Sequence, residues 1–222
     1  MTLGARAVTG GLALALLLPA AAEAAVLAPL KPCYISPPDG TPESVALHGA
    51  GFTPGSSVDI AVDGVPVEQN VFVEADGSFG GNGGGVPAPR QAGGQRPFTV
   101  TVAERGNPAN IVSVSSQVVA LGVSVSPSDV RPRRRVRFSG AGFTGPGPVF
   151  GHYAHRGRLR RTVRLARPQG PCGTFSVRRR MIPVRRPALG LWTLQIDQAA
   201  DYRREPMSAI WYSLDIEVFR RG

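Results

Sequence analysis

The chain has 222 residues, of which 28 are glycine and 21 proline, with 42% hydrophobic residues and a formal net charge of +10. That much glycine and proline excludes a helical bundle, and that much apolar sequence excludes a disordered chain, which leaves an all-β protein. The charge is unevenly spread: residues 25–120 carry four basic against eight acidic side chains, a net of −4, whereas residues 121–222 carry twenty arginines against six acidic residues, a net of +14. Lys31 is the only lysine. A compositional bias toward Arg, Ala, Gly and Pro together explains arginine replacing lysine, but not its crowding into one half.

Residues 1–24 read as a cleaved secretory signal peptide. Arg6 is followed by an apolar run from Ala13 to Leu18, a Pro19 breaker and the small-residue ending Ala22-Glu23-Ala24. The run is shorter than the roughly 20 residues that a membrane-spanning helix needs. The expectation is therefore an exported, soluble mature chain with room for one large or two small domains.

From Cys33 onward short strands follow one another with period-two alternation. Val58, Ile60 and Val62 alternate with Asp59 and Asp63, and Phe98, Val100 and Val102 with Thr99 and Thr101. Further on, Val136 and Phe138 alternate with Arg135 and Arg137, and Leu159, Val163 and Leu165 with Arg158, Arg160, Thr162 and Arg164. Trp192, Leu194 and Ile196 form one face, as do Leu214, Ile216 and Val218. One apolar face per strand is what two packed antiparallel sheets require.

The chain also matches itself. GAGFT at Gly49 returns at Gly140, DGSF at Asp76 returns as CGTF at Cys172, FTVTV at Phe98 as WTLQI at Trp192, and VSSQVVAL at Val114 as YSLDIEVF at Tyr212. The offsets are 91, 96, 94 and 98 residues. Four matches in the same order indicate two copies of one domain. The predicted organisation is a signal peptide (1–24), an acidic β-sandwich (25–122) and an arginine-rich β-sandwich (123–222), each of immunoglobulin size.

The stretch GAGFTPGSSVDIAVDG, followed by EADGSF and PFTVTV, resembles the immunoglobulin-like repeats of bacterial exported proteins, including the IPT/TIG type. In those repeats a G-x-G-F-x-P-G turn follows the second strand and a D-G-S-F turn sits mid-domain. The second copy departs from the pattern: Gly-Pro-Gly-Pro follows Thr144, and Cys172 replaces Asp76. Its stretch GHYAHRGRLRRTVRLARPQGPCGTF is similar to exported actinobacterial proteins, a resemblance that implies no activity. The fold so implied is all-β, two tandem immunoglobulin-like antiparallel β-sandwiches, and such sandwiches serve adhesion, scaffolding and accessory roles alike. Physically the motif reads as a corner. Gly49 and Gly51 permit a bulge or a positive φ, Phe52 plugs the end of the sandwich, and Pro54-Gly55 turns the chain. A phosphate-cradling glycine loop would need a helix N-terminus behind it, and here a strand follows.

Cys33 and Cys172 are the only cysteines, and export would favour a disulfide between them, closing 139 residues. The alternative is two separate thiols. His152 and His155 stand three apart; in a strand that offset sends them to opposite faces, so they read as polar surface or edge residues and not as a metal site. No cofactor-binding motif and no nucleophile elbow are present. Asp197 and Asp201 have the residue type of paired glycosidase carboxylates, but beside Arg203 and Arg204 they read as a solvated, ion-paired loop.

The basic half is the strongest functional lead. Arg158, Arg160 and Arg164 are expected on one strand face, with Arg178, Arg180, Arg185 and Arg186 downstream and Arg131 to Arg137 upstream. Such a surface suits carboxylate, sulfate or phosphate groups. For an exported protein the candidate partners are an anionic wall polymer, a polysaccharide, an acidic protein or a membrane surface. The scarcity of aromatics, 7% of residues, argues against dedicated nucleic-acid recognition. The competing readings are arginines that are merely solvated or docked on the acidic domain, a purely structural envelope module, and a hydrolase-type enzyme with an unrecognised site.

Overall fold

The computed structural model describes residues 24–219 apart from 39, 129, 130, 207 and 209; the expected signal peptide, but for Ala24, lies outside the described residues. Fifteen strands account for the described secondary structure, with no helix among them. The first eight are β1 (Val26–Leu27), β2 (Tyr34–Ser36), β3 (Ser44–Ala50), β4 (Ser57–Val62), β5 (Val65–Phe72), β6 (Phe79–Gly85), β7 (Gln95–Glu104) and β8 (Ile111–Ala120). They build two sheets of order β1-β3-β6 and β2-β8-β7-β4-β5. The other seven are β9 (Gly122–Ser126), β10 (Arg135–Ala141), β11 (Val149–His155), β12 (Arg158–Ala166), β13 (Phe175–Arg180), β14 (Gly190–Asp197) and β15 (Trp211–Val218). Their sheets run β13-β10-β9 and β12-β11-β14-β15.

Superposing the two orders matches seven strands one for one. The trio β1-β3-β6 corresponds to β9-β10-β13, and β5-β4-β7-β8 to β12-β11-β14-β15. This is the immunoglobulin-like arrangement, in which a chain alternates between two sheets by Greek-key connections. The chain is thus all-β, two tandem immunoglobulin-like sandwiches. One element lacks a counterpart: β2 lies parallel to β8 at the edge of its sheet, Tyr34 opposite Val118. Between Leu27 and Tyr34 the chain passes from one sheet of the first sandwich to the other, and that crossing sets the parallel direction.

The alternation seen in the sequence is the burial pattern of the strands. In β4 every second residue is buried, and Val58, Ile60, Phe98, Val100 and Val102 belong to one core. Val136, Phe138, Trp192, Leu194 and Ile196 belong to the other. Each such side chain contributes roughly 1.5–3 kcal/mol on leaving water.

The repeated pentapeptide is explained by what it touches. A Cβ at Gly49 would come within 2.2 Å of the Phe79 ring, and one at Gly140 within 2.5 Å of the Phe175 ring. Gly51 and Gly142 take φ of 80° and 93°. Phe52 packs edge-on against Phe79 at 5.2 Å and Phe143 against Phe175 at 5.5 Å. The Phe52 N–H donates to the Gly77 carbonyl, and the Phe143 N–H to that of Gly173. The GAGFT and DGSF/CGTF motifs are therefore the two halves of one lock, made twice.

The sandwiches are joined closely. Only Leu121 separates β8 from β9; its N–H donates to Ser36 O, and its side chain packs in the second core. Cys33 and Cys172 form a disulfide with Cα atoms 5.2 Å apart, in a small buried cluster with Val119 and Ala141. Asp76 caps its turn by accepting from the Ser78 N–H and hydroxyl. The second copy uses the equivalent position for the cystine.

Candidate anion-binding face of the second sandwich

Strands β10 and β13 pair antiparallel with Val136 opposite Arg179 and Phe138 opposite Val177. Because Val136 and Phe138 face the core, the alternate positions face outward, and two successive pairs of them are arginine: Arg135 lies opposite Arg180 and Arg137 opposite Arg178, with Ser139 opposite Ser176 beyond them. Directly opposed like charges destabilise a sheet. None of these four has an acidic partner among the described residues. The ion pairs found there are Lys31–Glu43, Arg96–Asp63 and Arg105–Asp59 in the first sandwich and His152–Asp197 in the second. Two neighbouring strands thus hold a two-by-two array of exposed, uncompensated guanidinium groups.

The other arginines singled out from the sequence lie elsewhere. Arg158, Arg160 and Arg164 are on β12, the edge of the opposite sheet, and they do not form the single row expected. The register jumps between Leu159 and Arg161, so Arg160 is the extra residue of a bulge. Arg158 pairs with His155, whose ring lies against Trp192 on the core side, whereas Arg164 pairs with Phe150, stacked on His152 on the outer face. A bulge shifts the alternation by one, and nothing in the residue types announces it. Leu159, expected inside, is 44% exposed for the same reason. Arg185 and Arg186 are exposed on the β13–β14 loop. The array instead unites Arg178 and Arg180 with Arg135 and Arg137.

Between β12 and β13, where the edges of the two sheets meet, lies a cavity of about 200 Å³. It is lined by Arg135, Arg178, Arg179 and Arg180, with Tyr153, Val163 and Pro183. Arg179 spans the gap: Nη2 donates to the Leu165 carbonyl on β12 at 3.2 Å and Nη1 to its neighbour's carbonyl at 3.1 Å. Tyr153 is fully buried, and its hydroxyl has no hydrogen-bond partner. Burial holds the phenol well above its ordinary pKa, so it stays protonated.

The structure corrects the reading of His152, His155 and Asp197 as solvated. They do lie on opposite strand faces as expected, but both histidines are buried, and so is Asp197. Residues 198–204 leave β14 and fold back over the outer face of their sheet, with Tyr202 5.7 Å from His152. His152 Nε2 lies 3.2 Å from Asp197 Oδ1 and 3.1 Å from the Ala199 carbonyl, and Nδ1 is 2.9 Å from Thr162 Oγ1. Asp197 also accepts from the Gln195 amide and the Ala199 N–H. Desolvation pushes the Asp197 carboxyl up, but the hydrogen bonds from His152, Gln195 and Ala199 prevail and leave its pKa lowered. The sequence separation of 45 residues hides this pair; register between β11 and β14, His152 opposite Gln195, creates it. With both ring nitrogens engaged and the ring wholly buried, His152 holds the 198–204 segment against its sheet, while Asp197 also lines a cavity of about 400 Å³ with Gln195, Asp201 and Arg203. Asp201 and Arg204 are exposed, and Arg204 donates to the Gly157 carbonyl.

No protein-family model matches the chain, and no curated protein does. Among solved structures it is similar to a three-domain titin fragment, I67–I69, in an E-to-A variant, at 12% identity and a TM-score of 0.31, covering 89% of this chain and 66% of that one. It is also similar to a tetra-tandem repeat from the extending region of a large adhesion protein, at 19% identity and 0.27, covering 79% and 45%. A third likeness is to the Bacteroides ovatus protein SGBP-B in complex with a mixed-linkage heptasaccharide, at 16% and 0.26, covering 89% and 48%. The chain spans less than two thirds of the length of each, and the assignment to tandem immunoglobulin-like sandwiches rests on the strand order above.

Proposed function

We propose that this is an exported, non-enzymatic protein of the IPT/TIG type that holds an anionic surface polymer or partner through the basic face of its second sandwich. In this reading residues 1–24 are removed on export, the sandwiches divide near residue 122, and the polymer lies across Arg135, Arg137, Arg178 and Arg180. The observation that carries it is the cross-strand pairing of these arginines without acidic partners. Four guanidiniums held side by side repel one another, and a polyanion relieves that repulsion while accepting paired N–H donors. The cystine fits an oxidising compartment. The full burial of His152, with both ring nitrogens engaged within the fold, supports a non-enzymatic role.

Retention on heparin, as a model sulfated polymer, tests the reading. Four contacts predict that affinity falls roughly a hundredfold between 50 and 200 mM salt by counterion release. Reversing Arg137→Glu and Arg178→Glu together is expected to remove most of the binding and flatten the salt dependence, while Arg158→Glu with Arg164→Glu has a smaller effect. Unchanged heparin affinity in the first double variant would sink the proposal.

A further inference from the structure

We propose that the cavity between β12 and β13 is the seat of a single tetrahedral oxyanion, phosphate or sulfate, with the Tyr153 hydroxyl as a donor from below. This deepens the polymer reading and rests on it: the exposed array attracts an anionic chain, and the cavity grips one of its charged groups.

The first reason is the orphaned hydroxyl. A buried O–H without a partner costs about 1–3 kcal/mol, and Tyr153 is fully buried with its hydroxyl unpaired. Phenylalanine would fill the same volume without that penalty, so the hydroxyl calls for a partner that the protein does not itself supply. The phenol donates a hydrogen bond, and an oxyanion accepts one.

The second reason is the wall. Arg179 uses two of its five N–H groups on backbone carbonyls. Those bonds fix the guanidinium across the gap and leave three donors unspent. Arg135 and Arg180, opposite each other on neighbouring strands, and Arg178 complete a rim that is wholly cationic.

Size and shape select the ligand class. About 200 Å³ is less than the ~300–1,000 Å³ of sites for drug-sized molecules, so the cavity suits a small group and not a drug-sized molecule. Its donors come from two sheets, the arginines from β10 and β13 and the phenol from β11, so they approach from more than one direction. A tetrahedral group offers oxygens in all of them, whereas a planar carboxylate satisfies one guanidinium fork and leaves the rest unmatched.

The test is calorimetric titration of the full mature chain with inorganic phosphate, sodium sulfate and sodium acetate, on the wild type, Tyr153→Phe and Arg137→Glu. Tyr153→Phe removes only an unpaired buried hydroxyl, so it is expected to fold with equal or higher thermal stability. Expected is saturable 1:1 binding of phosphate or sulfate but not acetate, weakened about tenfold or more in Tyr153→Phe, as for a hydrogen bond to a charged group. Equal affinity in Tyr153→Phe, or no saturable binding in the wild type, overturns the seat. Arg137, outside the cavity lining but opposite Arg178, helps separate this from the polymer reading: Arg137→Glu is expected to weaken heparin by a larger factor than it weakens phosphate. If Arg137→Glu, alone or with Arg178→Glu, leaves heparin binding intact, the polymer reading fails, whereas the phosphate titration of Tyr153→Phe decides the seat. A heparin arm on Tyr153→Phe tells a polymer-borne group from a free anion, since a loss parallel to that of sulfate assigns the seat to the polymer.

Discussion

At the scale of single residues the two GAGFT motifs do the same steric job, and that makes them a matched experiment. Gly49 and Gly140 have no space above Cα because a phenylalanine ring from the partner motif fills it, at 2.2 Å and 2.5 Å from where a Cβ would stand. Phe79 and Phe175 are both held edge-on by a second ring in a buried corner, so neither ring can swing aside without opening the core. Gly49→Ala and Gly140→Ala should each lower stability by roughly 1–3 kcal/mol, the range for overpacking. Gly80 lies one residue beyond Phe79 on the same strand, and its nearest neighbour is the His48 ring at 3.8 Å. Gly80→Ala should therefore be neutral or stabilising by a few tenths of a kcal/mol. Urea unfolding midpoints of the three variants decide; a Gly49→Ala change as mild as Gly80→Ala would mean the lock is not tight.

At the scale of elements, pairing creates chemistry that residue types do not reveal. Asp197 is the last residue of β14 and accepts through both oxygens, Oδ1 from His152 and the Ala199 N–H and Oδ2 from the Gln195 amide. An asparagine has one carbonyl oxygen and an NH₂ that meets one of these donors head-on, so Asp197→Asn should cost about 1–3 kcal/mol at pH 7. The sign of its pH dependence follows from the lowered pKa of the folded state. The carboxylate's contribution is complete above the unfolded value, near 3.9, and is lost as pH falls below that through the folded value. The stability gap between wild type and Asp197→Asn should thus be constant from pH 5 to 7 and shrink below about pH 4; a gap that grows on acidification contradicts this network. The same distinction marks what was legible beforehand. Apolar alternation in Val58–Val62, Phe98–Val102 and Trp192–Ile196 announced strands and their buried faces, because period two is a property of one strand alone. The arginine array and the His152–Asp197 contact are properties of register between strands 40 or so residues apart. The bulge at Arg160 shows the converse, since one extra residue undid a facing that strict alternation implied.

At the scale of the whole molecule, the repeat built two cores and then charged them differently. The cores at Val58–Phe98 and at Phe138–Trp192 are separate, and the buried junction between them is small: the cystine with Val119 and Ala141. The cystine closes 139 residues, worth about 4 to 5 kcal/mol in loop-closure entropy, and it is the main tie that makes the two sandwiches respond as one. Removing it in a Cys33→Ala, Cys172→Ala double variant should let each unfold by its own balance. The second sandwich carries the opposed arginine pairs, and their repulsion lowers its stability where salt is scarce. Both tryptophans of the chain, Trp192 and Trp211, lie in that sandwich, so their fluorescence reports it alone while far-ultraviolet circular dichroism reports both. In urea at low ionic strength the fluorescence transition of the double variant should precede the midpoint of the dichroism curve, whereas in the oxidised wild type the two should lie closer together. Raising salt toward 1 M shortens the screening length from about 10 Å at 0.1 M to about 3 Å, and the fluorescence transition should then move to higher urea. A fluorescence midpoint that does not respond to salt would mean that the arginines are already neutralised within the folded chain, and with that the reason for seeking an anionic partner would be gone.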